Sequence, residues 1–197
     1  MRWANRASFG FLAPLVLALA ACAPPPPTPQ FPEPSYGHLG AIRLDVARFE
    51  IVVAYEPPLA APNVEHTFPT TPAAAAERWA QDRIQAVGDA GWARFIVHEA
   101  GVTETALERE SGLKGAFTDE QSERYEGVLD VVLEIRSDRG FRDAHVEATA
   151  TRTQSVSKDI TVNERRTVFF EMTEALMVDL NAQLEARIRE HLAKYLR

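Results

Sequence analysis

"GVLDVVLEIRSDRGFRDAHVEATATRT", residues 127–153, decides the fold. Leu129, Val131, Leu133 and Ile135 alternate along its first half, Ser137 to Gly140 read as a turn, and Ala144, Val146, Ala148 and Ala150 alternate back. Period-two patterning on both sides of a short polar turn predicts an antiparallel hairpin with one apolar face. Such a face needs a second layer to cover it. The cover follows directly. From Asn163 to about Leu196 there is no glycine or proline, and Phe169, Met172, Leu176, Leu180, Leu184, Ile188, Leu192 and Tyr195 recur every three or four residues. That spacing predicts one long amphipathic helix.

Upstream, "AIRLDVARFEIVVAY", residues 41–55, alternates Ile42, Leu44 and Val46 and then, out of phase, Phe49, Ile51, Val53 and Tyr55. One long strand keeps a single apolar face only if a bulge sits at Ala47-Arg48. Residues 56–71 hold Pro57, Pro58, Pro62 and Pro69, which disfavours both helix and central strand. Thr71 followed by Pro72 reads as a helix start and Gly88 as its end, with Ala76, Trp79, Ala80, Ile84 and Val87 on one stripe. "WARFIVHEAGV", residues 92–102, is apolar on both faces near Phe95, as a central strand is. Residues 104–126 read as an acidic, polar stretch with a short helix from Thr118, where Gln121 completes a capping box. The order is β-α-β-β-β-α, an α+β fold: a two-layer sandwich in which a four-stranded mixed sheet carries two helices on one face. The first β-α-β crossover makes its two strands parallel.

The folded part, residues 36–197, suits a single α+β domain. Ahead of it, residues 1–21 carry Arg2, Arg6, the apolar run Phe9 to Ala20 and no acid, the outline of a removable secretory signal. That run of 12 residues is too short to cross a bilayer as a helix. Leu19-Ala20-Ala21-Cys22 resembles the lipobox of bacterial lipoproteins. The resemblance implies cleavage before Cys22, a diacylglyceryl group on its sulfur and a further acyl chain, such as palmitate, on its amino group. Ala23 stands where that family sorts its members, and alanine there implies export to the outer rather than the inner membrane, facing the periplasm. Seven prolines between residues 24 and 34 make residues 22–35 a lipidated cysteine and extended linker, reaching up to ~40 Å.

The formal charge of −7 becomes −9 once Arg2 and Arg6 leave with the signal. So acidic a chain has no basic footprint for nucleic acid, and the membrane is reached through the anchor. Its lone cysteine is used by lipid, so no disulfide forms.

No motif carries catalysis. His98-Glu99 begins like a zincin helix, but Val102 occupies the second histidine's place, and His38, His66, His145 and His191 lack ligand spacing, so no metal is expected. The S-x-x-K matches at Ser111-Lys114 and Ser155-Lys158 lack the companion S-D-N and K-T-G elements. The acids Glu104, Glu108, Glu110, Asp119, Glu120, Glu123 and Glu126 lack the calcium-loop pattern and read as a solvated acidic stretch. Phosphate-cradling and nucleophile-elbow glycine motifs are missing as well, and no cofactor is implied.

The element order resembles that of the auxiliary lipoproteins of envelope ABC transport systems and of the lipopolysaccharide-assembly lipoprotein. "PPLAAPNVEH" and "EALMVDLNAQLEARI" are similar to stretches of uncharacterised alphaproteobacterial lipoproteins. The expectation is a lipid-anchored, non-enzymatic binding or auxiliary module of the cell envelope, with an envelope protein or lipid-transport partner. The alternatives are a structural envelope lipoprotein and an envelope hydrolase without a recognisable nucleophile. One docking site is expected at the end of the long helix. Its ~50 Å exceeds the ~36 Å of a strand over 127–137, so Ile188, Leu192 and Tyr195 overhang the sheet. Either the chain's own loop 57–69 covers them or a partner or second copy does.

Overall fold

The computed structural model describes residues 30–107, 121–138, 141–157 and 159–197. It is an α+β fold with strands β1 (Ile42–Leu44), β2 (Arg48–Val53), β3 (Ile84–Ala86), β4 (Trp92–Glu99), β5 (Val102–Ala106), β6 (Gln121–Arg136) and β7 (Arg142–Ser157) and helices α1 (Pro72–Arg83) and α2 (Val162–His191). β1 and β3 form a small parallel pair, and the other five strands form the main sheet in the order β2-β4-β6-β5, with β7 paired to β6.

β6 explains this layout. Its residues 123–127 pair with β5 and its residues 130–136 with β4, so those two strands lie end to end along one side of it, while β7 covers the other side. The expected four-stranded sheet and β-α-β-β-β-α order are corrected: the main sheet has five strands, a two-stranded sheet accompanies it, and the order is β-β-α-β-β-β-β-β-α, because the first strand breaks in two and β3 and β5 pair with partners distant in the chain. β2 and β4 are parallel, as the crossover rule required.

The continuous first strand is corrected. Its phase switch marks a break, with β1 and β2 going to different sheets. Between them Val46 N–H bonds to Leu44 O and Ala47 N–H to Ala90 O. The polar stretch 104–126 is corrected too. β5 and the first turn-length of β6 occupy its described ends, and Gln121 is strand rather than a capping residue; Thr118 lies outside the described residues. The charged side chains there alternate with Tyr125 and Val102, which are fully buried, and two inward residues suffice for a strand whose outer face is solvated.

α1 starts as read, with Thr71 accepting from Ala74 N–H at 3.2 Å and proline in the first turn. It ends at Arg83 because Ile84 turns extended and joins Ile42 in the small sheet. α2 opens on a capping box between Thr161 and Glu164. Its stripe from Phe169 to Ile188 is buried.

Both helices lie on one face of the main sheet. Trp79, Phe95, Leu129, Leu133, Leu176 and Leu180 belong to the larger core. A smaller one gathers Phe68, Tyr125, Val156, Phe169 and Met172 where α2 begins, with Phe68 stacked on Phe169 at 4.1 Å and Tyr125 edge-on at 5.0 Å.

Gly88 is the tightest point. A methyl group there would stand 2.6 Å from both Asp45 C and Val46 N, backbone atoms of the segment it crosses. Gly88→Ala is expected to lower unfolding stability by about 2–3 kcal/mol, because a backbone crossing cannot relax as a side chain does. Urea unfolding checks this, and an unchanged midpoint would contradict it.

The linker ends earlier than expected. Phe31 stacks on Phe170 at 5.0 Å, and Tyr36 N–H donates to Asp82 at 2.8 Å. Residues 31–36 therefore lie against the helices, and the free stalk does not extend to residue 35.

Candidate functional site

The expected overhang is absent, for a reason of length. The hairpin strands each hold sixteen residues, about 53 Å, against about 45 Å for the thirty residues of α2. Ile188 and Leu192 are buried in the chain's own core, and Tyr195 is half-buried. Their cover is β1 and the C-terminal residues: Leu44 bridges Leu196, and Asp45 N–H donates to Tyr195 O at 2.7 Å. Loop 57–69 lies elsewhere, its residues 62–64 running antiparallel beside β5 through Asn63 and Thr103. No apolar stripe is offered to a partner at this helix end.

The histidines are all exposed and stand in separate elements. Among the described residues no three His, Cys, Asp or Glu side chains are grouped to hold a metal ion. Ser157 Oγ accepts from Asp159 N–H in a turn. Cys22, Ser111, Lys114 and Lys158 lie outside the described residues.

Three interior polar groups could resemble chemistry, and each is saturated by structural bonds. Glu65, fully buried, accepts from Tyr55 OH at 2.8 Å and Val102 N–H at 3.1 Å, tying the proline loop to β5. Tyr125 OH donates to Glu123 at 2.6 Å, and Arg165 from the first turn of α2 donates to both. Burial and then the neighbouring carboxylate push both phenols well above their ordinary value, so each stays a hydrogen-bond donor at neutral pH and not a base. Arg165 holds the Glu123 carboxyl below the usual carboxylate range, against the opposing effect of burial. The third group, around Arg83, joins α1 to α2.

What remains is the face of the main sheet that the described helices leave uncovered. Its side chains follow from pleat and register. Arg48, Trp92 and Arg136 are directly opposite one another on β2, β4 and β6; the next row is Glu50, Arg94, Glu134 and His145, and the next Val52, Ile96, Val132 and Glu147. Trp92 lies among three guanidinium groups, with Arg94 4.5 Å, Arg136 5.4 Å and Arg48 5.6 Å from its ring centre. Glu134, only 2% exposed, takes two bonds from Arg136 at 2.6 and 3.1 Å. Arg94 donates to Glu50 at 3.1 Å, while its Nε is shut off from solvent and has no hydrogen-bond partner among the described residues. Val52 and Val128 are each 36% exposed on this face.

Sequence reasoning passed over these residues. The i, i+2 spacing of Arg48-Glu50-Val52 and Trp92-Arg94-Ile96 was available, but only the parallel register of β2 on β4 puts the two triplets side by side.

No family model matches the chain, and no curated protein matches it. Among solved structures, a minor lipoprotein from Acinetobacter baumannii is similar over 74% of this chain and 92% of its own, at 16% identity and a TM-score of 0.38. A Xanthomonas campestris protein of the DUF330 family is similar over 76% of this chain and 98% of its own, at 10% identity and a TM-score of 0.28. A likeness this distant carries no argument about function.

Proposed function

We propose that this protein is a lipid-anchored module of the bacterial envelope that acts by binding an envelope protein, not by making or breaking covalent bonds. The lipobox at Leu19 to Cys22 supports the anchor, and Ala23 supports the outer membrane over the inner, with the domain in the periplasm. The observation that carries the binding reading is the uncovered sheet face. On the face that the described helices leave uncovered, exposed Val52 and half-buried Ile96 lie beside exposed Arg48 and Glu50, with Val132 and Trp92 buried among their neighbours, and apolar ground flanked by charge is the composition of a protein interface. Trp and Arg are the residues on which interface energy concentrates, and Arg48 is exposed on this face.

Arg48 and Val52 are exposed on the edge strand, so Arg48→Glu with Val52→Asp leaves the fold within about 0.5 kcal/mol per site. The pair is expected to weaken the partner complex by about 3 kcal/mol, roughly 100-fold. Co-purification from detergent-solubilised membrane reads this. A folded double variant that keeps its partner at wild-type stoichiometry would overturn the proposal.

A further inference from the structure

One exposed loop is apolar where surface loops are ordinarily polar. Residues 56–62, Glu-Pro-Pro-Leu-Ala-Ala-Pro, are all exposed, and from Pro57 to Val64 there is no charge. Leu59 at its tip is 64% exposed and has φ 55°, a left-handed conformation that glycine or asparagine normally supplies. A leucine there costs backbone strain and exposes an apolar side chain as well, and an apolar surrounding would remove the second of these penalties.

The topology places this loop at a definite pole. β2 runs parallel to β4, and the chain then returns antiparallel beside β5, with Glu104 N–H donating to Pro62 O at 2.8 Å. Residues 56–61 therefore turn toward the pole at which β5 ends, about level with Tyr125 and short of the β6 start at Gln121. α2 begins at that pole too, because β7 ends there, paired with the start of β6.

The N-terminal segment leads to the same place. From Tyr36, bonded to Asp82 near the end of α1, the chain passes back to Phe31, stacked on Phe170 in the third turn of α2. Eight peptide steps separate Cys22 from Gln30, at most about 29 Å of chain in any conformation. An anchor on so short a leash keeps residue 30, and the half of the domain it packs on, within about 29 Å of the acylated cysteine.

We infer that loop Pro57–Pro62 is a shallow membrane contact, with Leu59 and its proline and alanine neighbours entering the interfacial region of the bilayer that holds the Cys22 acyl chains. The inference rests on the lipid-anchor reading. Lipid is the occupant the observations favour, since the loop faces the tethered half of the domain and residues 57–62 carry no charge for an anionic or cationic partner. Phe141, 69% exposed at the hairpin turn, marks the opposite pole.

The test uses the full chain, expressed with its signal and reconstituted in phosphatidylethanolamine–phosphatidylcholine vesicles. Ala60→Cys and, separately, Phe141→Cys each carry a nitroxide label, and intact mass reports acylation of Cys22. With Cys22 acylated, the label at 60 is expected to be more accessible to oxygen than to a water-soluble nickel chelate, and the label at 141 the reverse. Aqueous accessibility at both positions on an acylated protein overturns the inference and leaves the anchor standing. Dipolar broadening between labels at 60 overturns it in favour of a second copy. Mature protein without acyl chains overturns the anchor, and the loop contact falls with it.

Discussion

Cys22→Ala is expected to leave an uncut or soluble precursor without acyl label, and no mature protein in the membrane fraction. The size of the effect follows from the anchor's energetics. Each buried methylene contributes about 0.8 kcal/mol, yet one acyl chain binds a membrane only marginally; two or more make a stable attachment. In the proposed lipoprotein the cysteine would supply the diacylglyceryl site, and cleavage beside it would create the amino group for a further chain, so one substitution would remove every chain together. Among the described residues no helix is long and apolar enough to cross a membrane in their stead. Fractionation with palmitate labelling checks this, and normal amounts of mature protein in the membrane would sink the lipoprotein reading.

Arg83→Ala is expected to destabilise the fold by about 2–3 kcal/mol, because Gly40 O and Asn181 Oδ1 each lose a donor while Glu185, 21% exposed, keeps Arg189 as a partner. Arg83 is 3% exposed and its guanidinium joins three segments: Nε donates to Gly40 O, Nη1 to Asn181 Oδ1 at 2.7 Å, and Nη2 to Glu185 Oε1 at 2.8 Å. Asn181 Oδ1 also accepts from Trp79 Nε1 at 2.9 Å, so the substitution leaves a half-satisfied network between the helices. The same bonds make a pH statement. Burial raises the pKa of Glu185, but the hydrogen bonds from Arg83 and then Arg189 outweigh it and hold the carboxyl below its ordinary value. A carboxyl depressed in the folded state stabilises it above the unfolded value of about 4.3, and that contribution disappears as pH falls through the folded value. Wild-type stability should therefore fall on acidification below about pH 4.5, and Arg83→Ala should flatten part of that fall. Thermal unfolding across pH checks both points; an unchanged midpoint at neutral pH would show that the clamp contributes nothing.

The parts of this architecture written in local periodicity were legible in the sequence. The period-two runs from Leu129 to Ala150 gave β6 and β7, the stripe from Phe169 to Ile188 gave α2, and Thr71-Pro72 gave the start of α1. Elements whose partners lie far away in the chain were not. β1 and β3 hold three residues each and exist because Ile42 meets Ile84 across forty-odd residues. β5 and the start of β6 look like a solvated acidic stretch because only Val102 and Tyr125 among their residues point into the small core. The strand lengths carried the largest consequence. Reading β6 as eleven residues put Ile188 and Leu192 at an overhang, whereas its sixteen make the sheet the longer layer, and those side chains pack inside. The uncovered face was hidden for the same reason, since Trp92 is an ordinary central-strand residue until register brings Arg48 and Arg136 beside it.

The central claim is that the protein works through that sheet face while its anchor holds it to the membrane. Site-specific photo-crosslinking in living cells tests it most directly, with the photoreactive residue placed in turn at Val52, at Val128 and, on the outer surface of α2, at Val178, which is 66% exposed. The account predicts a discrete crosslinked protein from positions 52 and 128, lost in Arg48→Glu, and none from 178. A crosslink from 178 alone, or the same adduct from all three positions, would contradict it.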